Sequence, residues 1–213
     1  MNAVVDNDIL FKGACFGMLQ ELIFPVCAGD APGVLGAARF VVAKTIEKKR
    51  IRGNVADAVG RLKAFLSQAK VLEPTDAELT MAADFELAAQ RLGSSFDTGE
   101  SVLSAVTIIR LVPLLLTGDK RAIRTMEKLL ESDARIEALC GKVRCLEQLV
   151  LSFLTDANSQ SVKGAICSEP DADKTLTICF SCASGTGTYK EFSEGLESYI
   201  RDLRSSANRI LAG

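Results

Sequence analysis

The sequence predicts an α/β protein with a mainly parallel sheet, and three observations carry that expectation. Short apolar runs alternate with longer segments of helical periodicity, the pattern of strands joined by crossover helices. The first run, Ala3-Val4-Val5, is apolar at every position, which fits a strand covered on both faces. Two runs lead into an aspartate, Asp6 and Asp119, and functional groups of parallel sheets gather at the carboxyl ends of strands.

In chain order, a strand at Ala3-Val4-Val5 ends on Asp6. Asn7-Asp8 then caps a helix over residues 9–23, with Leu10, Ala14, Met18 and Leu22 in register. Residues 25–32 (PVCAGDAP) form a breaker-rich loop. Residues 33–49 have helical periodicity, with an apolar face through Leu35, Phe40 and Val41 and a basic end. Asn54 caps a helix running to about Gln68, with Val55, Val59, Leu62 and Leu66 as its stripe. Lys70-Val71-Leu72 is a short strand. Thr75 and Glu78 form a capping box for a helix ending at Gly93.

Asp97-Thr98-Gly99-Glu100 opens a central helix, and residues 111–117 follow as a buried strand. Residues 119–132 are helical. Lys142-Val143-Arg144-Cys145 is the last strand, followed by a helix over residues 146–154. In the tail, residues 171–183 and 191–211 have helical spacing, broken by Gly185-Thr186-Gly187-Thr188. The division is a domain over residues 1–155 and a helical C-terminal extension, 156–213, packed on it.

Composition removes several function classes. A chain of 213 residues buries a proper core, so one domain with an appendage is expected. There is no histidine, which excludes Ser-His-Asp and Cys-His nucleophiles and histidine metal sites. A net charge of −2 gives no global footprint for nucleic acid, and the one dense basic run is residues 44–52 (KTIEKKRIR). With no Trp and two Tyr, extensive stacking on bases is not expected. The first residues lack a basic start and a long apolar run, so no signal peptide is read there. The longest apolar run, residues 111–116, is far short of the ~20 residues that span a bilayer. A cytoplasmic location with no membrane partner is expected, and with it seven reduced cysteines.

The acids remain. Asp6 and Asp119 at strand ends and Asp97 and Glu100 at a helix start converge if the two strands are neighbours. Each is also explicable as a cap or first-turn acid. Together they need protons or a cation, and hard divalent ions with oxygen ligands fill that need without histidine.

Three segments resemble the PIN-domain family of metal-dependent nucleases. Asp6-Asn7-Asp8-Ile9-Leu10 after Val4-Val5 resembles the family's opening acid. Phe96-Asp97-Thr98-Gly99-Glu100-Ser101 is similar to the D-x-G-E helix opening of a PIN-like branch. Leu115-Leu116-Thr117-Gly118-Asp119 is similar to the late strand ending in Thr-x-Asp. The resemblance covers residues 1–155 and implies a PIN-like parallel sheet flanked by helices. It implies Asp6, Glu100 and Asp119 as metal-binding and catalytic acids, with Thr117 as a supporting hydroxyl. Glu47, Asp8 and Asp97 are further metal candidates. The implied function is a Mg- or Mn-dependent ribonuclease. Lys44, Lys48, Lys49, Arg121 and Arg124 are candidates for contacts to the nucleic-acid backbone. The alternatives are a non-catalytic PIN-like interaction protein and the toxin of a toxin–antitoxin pair. The C-terminal helices are a candidate surface for a homodimer or protein partner.

Cys179-Phe180-Ser181-Cys182 is a CxxC within an apolar helical pattern. Packing explains it, with zinc or redox chemistry as the alternative. No zinc is expected, because a second standard pair is missing and histidine is absent.

Overall fold

The structure, a computed structural model, describes residues 1–49 and 51–213, so Arg50 of the basic run lies outside the described residues. Five strands form one sheet: β1 (Ala3–Val5), β2 (Gly33–Leu35), β3 (Lys70–Leu72), β4 (Leu114–Leu116) and β5 (Val143–Arg144). Their order is β3-β2-β1-β4-β5, and all pairings are parallel, with Val5 opposite Leu116 and Leu116 opposite Arg144.

The connections are helical, as parallel strands require. α1 (Asn7–Phe16) and α2 (Leu19–Ile23) join β1 to β2, while α3 (Ala38–Lys48) and α4 (Val55–Leu66) join β2 to β3. α5 (Asp76–Arg91) and α6 (Thr98–Ile109) lead to β4, and α7 (Lys120–Leu129) precedes β5. The tail adds α8 (Leu146–Phe153), α9 (Ser159–Ser168), α10 (Lys174–Cys179) and α11 (Tyr189–Ser206).

Strand pleating splits the core in two. Ala3, Val5 and Leu116 face one cluster with Leu10, Leu22, Ile46 and Phe65. Val4 and Leu115 face the other, with Leu72, Phe85, Leu103 and Ile123. Successive residues of a strand point to opposite faces, so an apolar run is what a doubly covered sheet needs.

The chain runs outward from β1 to β2 and β3, then returns to place β4 on the other side of β1. α1 packs in the first cluster and α7 in the second, so the segments after β1 and β4 part to opposite faces. That divergence opens a crevice at the carboxyl end of the sheet.

The structure departs from the expected elements at several points. Residues 33–49 are not one helix. Gly33–Leu35 is a strand held between β1 and β3, too short to show a period of its own. The buried face of α3 is Ala38, Val42 and Ile46, while Phe40 and Val41 are exposed. The 9–23 helix breaks at Gly17, which takes a left-handed φ of 72° as the cap of α1. Its N-cap is Asp6 rather than Asn7-Asp8, because Asp6 is still extended and its carboxylate accepts from the Asn7 amide. Finally, the cysteines are not all reduced: Cys167 on α9 is disulfide-bonded to Cys182. That bond removes Cys182 from the CxxC as a thiolate, and Cys179 is buried.

The tail is divided differently from its spacing: α9 was not expected, the 171–183 segment shortens to α10, and the 191–211 segment shifts to α11. Val162, Ile166, Leu176, Phe192 and Leu196 enter the first core cluster, and Leu203, Ile210 and Leu211 the second. The Val143 amide donates to the Ile210 carbonyl at 3.2 Å, and the Ala212 amide to the Val143 carbonyl at 2.8 Å. The chain end thus covers the open edge of β5.

On the opposite side, Arg110 at the end of α6 clamps Glu78 of α5. Nε and Nη2 donate to the two carboxylate oxygens at 2.6 and 2.7 Å, and Nη2 also donates to the Glu73 carbonyl at 2.9 Å. Glu78 is fully buried, and the Arg110 hydrogen bonds hold its carboxyl below the usual range. Its contribution is therefore present above the ordinary glutamate pKa and is lost as pH falls through the lowered value. Replacing Arg110 by Met leaves the charge buried with only the Thr75 amide of its capping box and no counter-charge. The expected loss is about 3 kcal/mol in urea denaturation at neutral pH, shrinking below about pH 4. A gap of the same size at both pH values would show that the pair is not its source.

Candidate functional site

Asp6 begins where β1 ends. Its amide continues the ladder by donating to the Leu116 carbonyl at 2.9 Å, and its Oδ1 accepts from the Asn7 amide at 2.7 Å. The other carboxylate oxygen accepts from the Thr117 hydroxyl at 3.1 Å. Thr117 Oγ1 in turn accepts from the Asp119 amide at 3.2 Å. One buried hydroxyl, just beyond β4, therefore orients Asp6 and the turn that carries Asp119.

Asp119 is the N-cap of α7, accepting from the Arg121 amide at 2.7 Å, and it forms an ion pair with the Arg121 guanidinium at 2.6 Å. Asp97 and Glu100 form a capping box at the start of α6. Asp97 Oδ1 accepts from the Glu100 amide at 3.0 Å, and Glu100 Oε2 from the Asp97 amide at 3.2 Å. The box folds the Glu100 side chain back over its own helix end.

These acids line one cavity of about 770 Å³, together with Asp8 and Glu73, and with Phe11, Val41, Val42 and Val102 among its apolar walls. The sequence reading missed Glu73, although it stands at the carboxyl end of β3, the rule that had selected Asp6 and Asp119. A Cβ at Gly36 would meet the Glu73 carboxylate, so glycine there gives the acid its space. Lys49 is the one cation among the described lining residues, its ammonium 4.3 Å from the centre of the Phe11 ring.

Asp8 is already matched. Lys12 of α1 bridges it, at 2.5 Å, to Asp173, the N-cap of α10, at 2.8 Å. Burial works to lower the Lys12 pKa, but the two carboxylates outweigh it and the ammonium is held well above its ordinary value. A Cβ on Gly118 would meet the Asp8 carboxylate and crowd the Lys12 ammonium, so this turn lies directly over the pair.

Electrostatics separates the remaining acids. Burial, with the Asp8 charge, raises Asp6 to about 6 against the hydrogen bonds from Thr117 and Asn7. Burial and then the Asp97 charge push Glu100 up to about 8, with Asp119 and Asp6 adding to the effect. Asp119 goes the other way: burial raises it, but the Arg121 guanidinium and amide prevail and hold it below the usual range. Asp6 and Glu100 are two carboxyls in want of positive charge.

The donor set suits a hard divalent cation, being oxygen throughout. Geometry sets a limit, because among the described residues no three His, Cys, Asp or Glu side chains are grouped so as to hold an ion. Asp6, Asp97, Glu100 and Asp119 are each turned toward a helix cap. Mg²⁺ accommodates such a site by retaining waters and contacting one or two carboxylates directly.

Other candidates fall elsewhere. Glu47 and Lys44 line a second cavity between α3 and α4, because Thr45 and Lys49, one turn apart, present the face of α3 toward the acids. Glu47 is thus removed from the acid cluster. Arg124 is engaged by α11, through Ser206 at 3.0 Å and Asp202 at 3.4 Å. Lys48 is exposed and lines neither cavity. The tail, in which no chemistry was read, supplies Asp173 to the rim of the site.

No family model matches the chain, and no curated protein matches it. Among solved structures, that of VapBC2 from Rickettsia felis bound to a DNA fragment from its promoter is similar at 9% identity. The TM-score is 0.47, over 63% of this chain and 95% of that one. No helix among the described residues is long and apolar enough to cross a membrane.

Because Glu100 binds its proton more tightly folded than unfolded, its charge penalises the fold as pH rises from about 4.5 toward 8. Gln at this position keeps the capping bond and removes the charge. Glu100→Gln is expected to melt about 3 °C or more above the parent at pH 8, with the difference closing near pH 4. Identical melting curves at pH 8 would show that Glu100 is not under charge stress.

Proposed function

We propose that this chain is a PIN-like, divalent-metal-dependent nuclease that hydrolyses phosphodiester bonds, with RNA as its substrate. The observation that carries the reading is the meeting of Asp6, Glu100 and Asp119 on one cavity at the point where strand order reverses, with Asp6 and Glu100 raised by burial and neighbouring charge. Mg²⁺ or Mn²⁺ is the cation that fits, with Asp6, Glu100 and Asp119 to hold it directly or through water. Such an ion supplies positive charge to a scissile phosphate and lowers the pKa of a water.

The chain's own residues prepare the rest. Thr117 fixes the Asp6 carboxylate, and Lys12 offsets part of the charge of Asp8 and Asp173, while Asp8 still adds to the repulsion that raises Asp6. Lys49, on the cavity wall, and Arg121, paired with Asp119, are the cations that would meet flanking phosphates. Glu100 must release its proton when a cation arrives, so metal affinity should rise with pH toward about 8. The RNA preference rests on the resemblance of the Asp6, Glu100 and Asp119 segments alone.

Asp6→Asn and Asp119→Asn each keep an amide side chain able to cap α1 or α7. Both are expected to cut Mn²⁺-dependent cleavage of single-stranded RNA by about 100-fold or more while remaining folded. Cleavage at the parent rate by both variants rejects the mechanism.

One observation favours a second reading, a non-catalytic interaction protein: Asp6, Asp8, Asp97, Glu100 and Asp119 already have partners within the chain, and among the described residues no three ligands converge. Titration calorimetry separates the two. Mn²⁺ binding that disappears in Asp6→Asn supports the nuclease, and no binding by the parent supports the second reading.

A further inference from the structure

α3 presents a second face that the acid cavity does not use. Toward α4 it lines a groove of about 630 Å³, floored by Ala43, Leu62 and Leu66 and bordered by Arg39, Lys44 and Lys63. Phe40 also lines the groove with 65% of its surface exposed, and the Arg39 guanidinium lies 4.5 Å from its ring centroid. Packing does not account for this ring, since α3 meets the core through Ala38, Val42 and Ile46. Among the described residues, none of the three cations forms an ion pair, and Glu47 is the lone acid of the groove.

We propose that this groove binds a single-stranded polynucleotide, with one base stacked on Phe40 and phosphates along Lys44 and Lys63. A flat ring backed by a guanidinium and bordered by cations is the combination that holds single strands: stacking on the ring and charge on the backbone. A composition without Trp excludes a long stacking platform, but one base needs one ring. The charge balance, three cations to one acid, is complementary to phosphate. An amphipathic helix would instead need a run of apolar anchors along a longer floor. The position adds direction. Val41, the next residue, lines the acid cavity, so α3 is the wall between the two, and a strand crossing it would enter the acid site with its next nucleotides held. The inference rests on the nuclease reading for the class of substrate only.

Binding is measured by fluorescence anisotropy on the full chain in EDTA, so that cleavage plays no part. The probes are labelled single-stranded oligouridylate and oligodeoxythymidylate of about twelve nucleotides. Phe40→Ala is expected to weaken binding roughly tenfold, and Lys44→Ala with Lys63→Ala to flatten its salt dependence, with melting temperatures unchanged. Tighter binding of the ribose probe identifies RNA, and equal binding identifies single strands of either kind. Phe40→Ala binding both probes as the parent does would falsify the proposal. Displacement by a glutamate-rich helical peptide that binds more tightly than either probe would assign the groove to a protein and also overturn it. Asp6→Asn keeps the two questions apart. If the parent binds through Phe40 but never cleaves, the nuclease reading fails and the groove stands; Phe40-independent binding by a protein that cleaves gives the reverse.

Discussion

The Thr117 hydroxyl is the point on which the site depends. It donates to Asp6 across the β1–β4 boundary and accepts from the Asp119 amide, so one buried oxygen couples two strand ends. The coupling has meaning only because β1 and β4 are neighbours with Val5 opposite Leu116. A slip of one residue would turn the inward residues outward and part the two aspartates. Sheet topology creates the crevice, and this hydrogen bond determines which oxygens face it.

Around that point, the chain confines negative charge by giving most of the acids a partner. Asp8 has Lys12, Asp119 has Arg121, and Glu100 has the amide of its capping box. Asp6 and Glu100 are left raised because hydrogen bonds from neutral donors offset burial only in part. The cavity is therefore held by its frame against its own electrostatics. That frame extends far along the chain: Arg110 ties α5 to α6 beside Glu73, and Asp173 reaches Lys12 from the tail. The Cys167–Cys182 bond links α9 to the segment after α10, downstream of that same aspartate.

Sequence reasoning succeeded where local chemistry determines structure. The Thr75–Glu78 box, the Asn54 cap and the left-handed Gly93 follow from side chains a few residues apart. It failed where distant partners decide. Gly33–Leu35 is a strand because β1 and β3 flank it, and nothing in three residues shows that. Phe40 was placed on an apolar face with Leu35 and Val41, whereas the direction of α3 buries Ala38, Val42 and Ile46. Glu47 was chosen by position in a motif, and helical phase carries it to the other side of α3. Glu73 was legible, since an acid just past a strand had already been treated as a signal twice.

The sequence by itself determined the alternation of strands and helices, the doubly covered strands and the placing of Asp6 and Asp119 at strand ends. It determined as well that any acid–base chemistry falls, without histidine, to carboxylates, lysines, tyrosines or a metal-bound water, because composition is independent of folding. Only the tertiary structure decided the strand order, and so which acids share a cavity. It also decided which cations lie beside them and which carboxyls are raised. Those properties depend on distances between residues as far apart as 6 and 119, and on the exclusion of water between them, which no local pattern encodes.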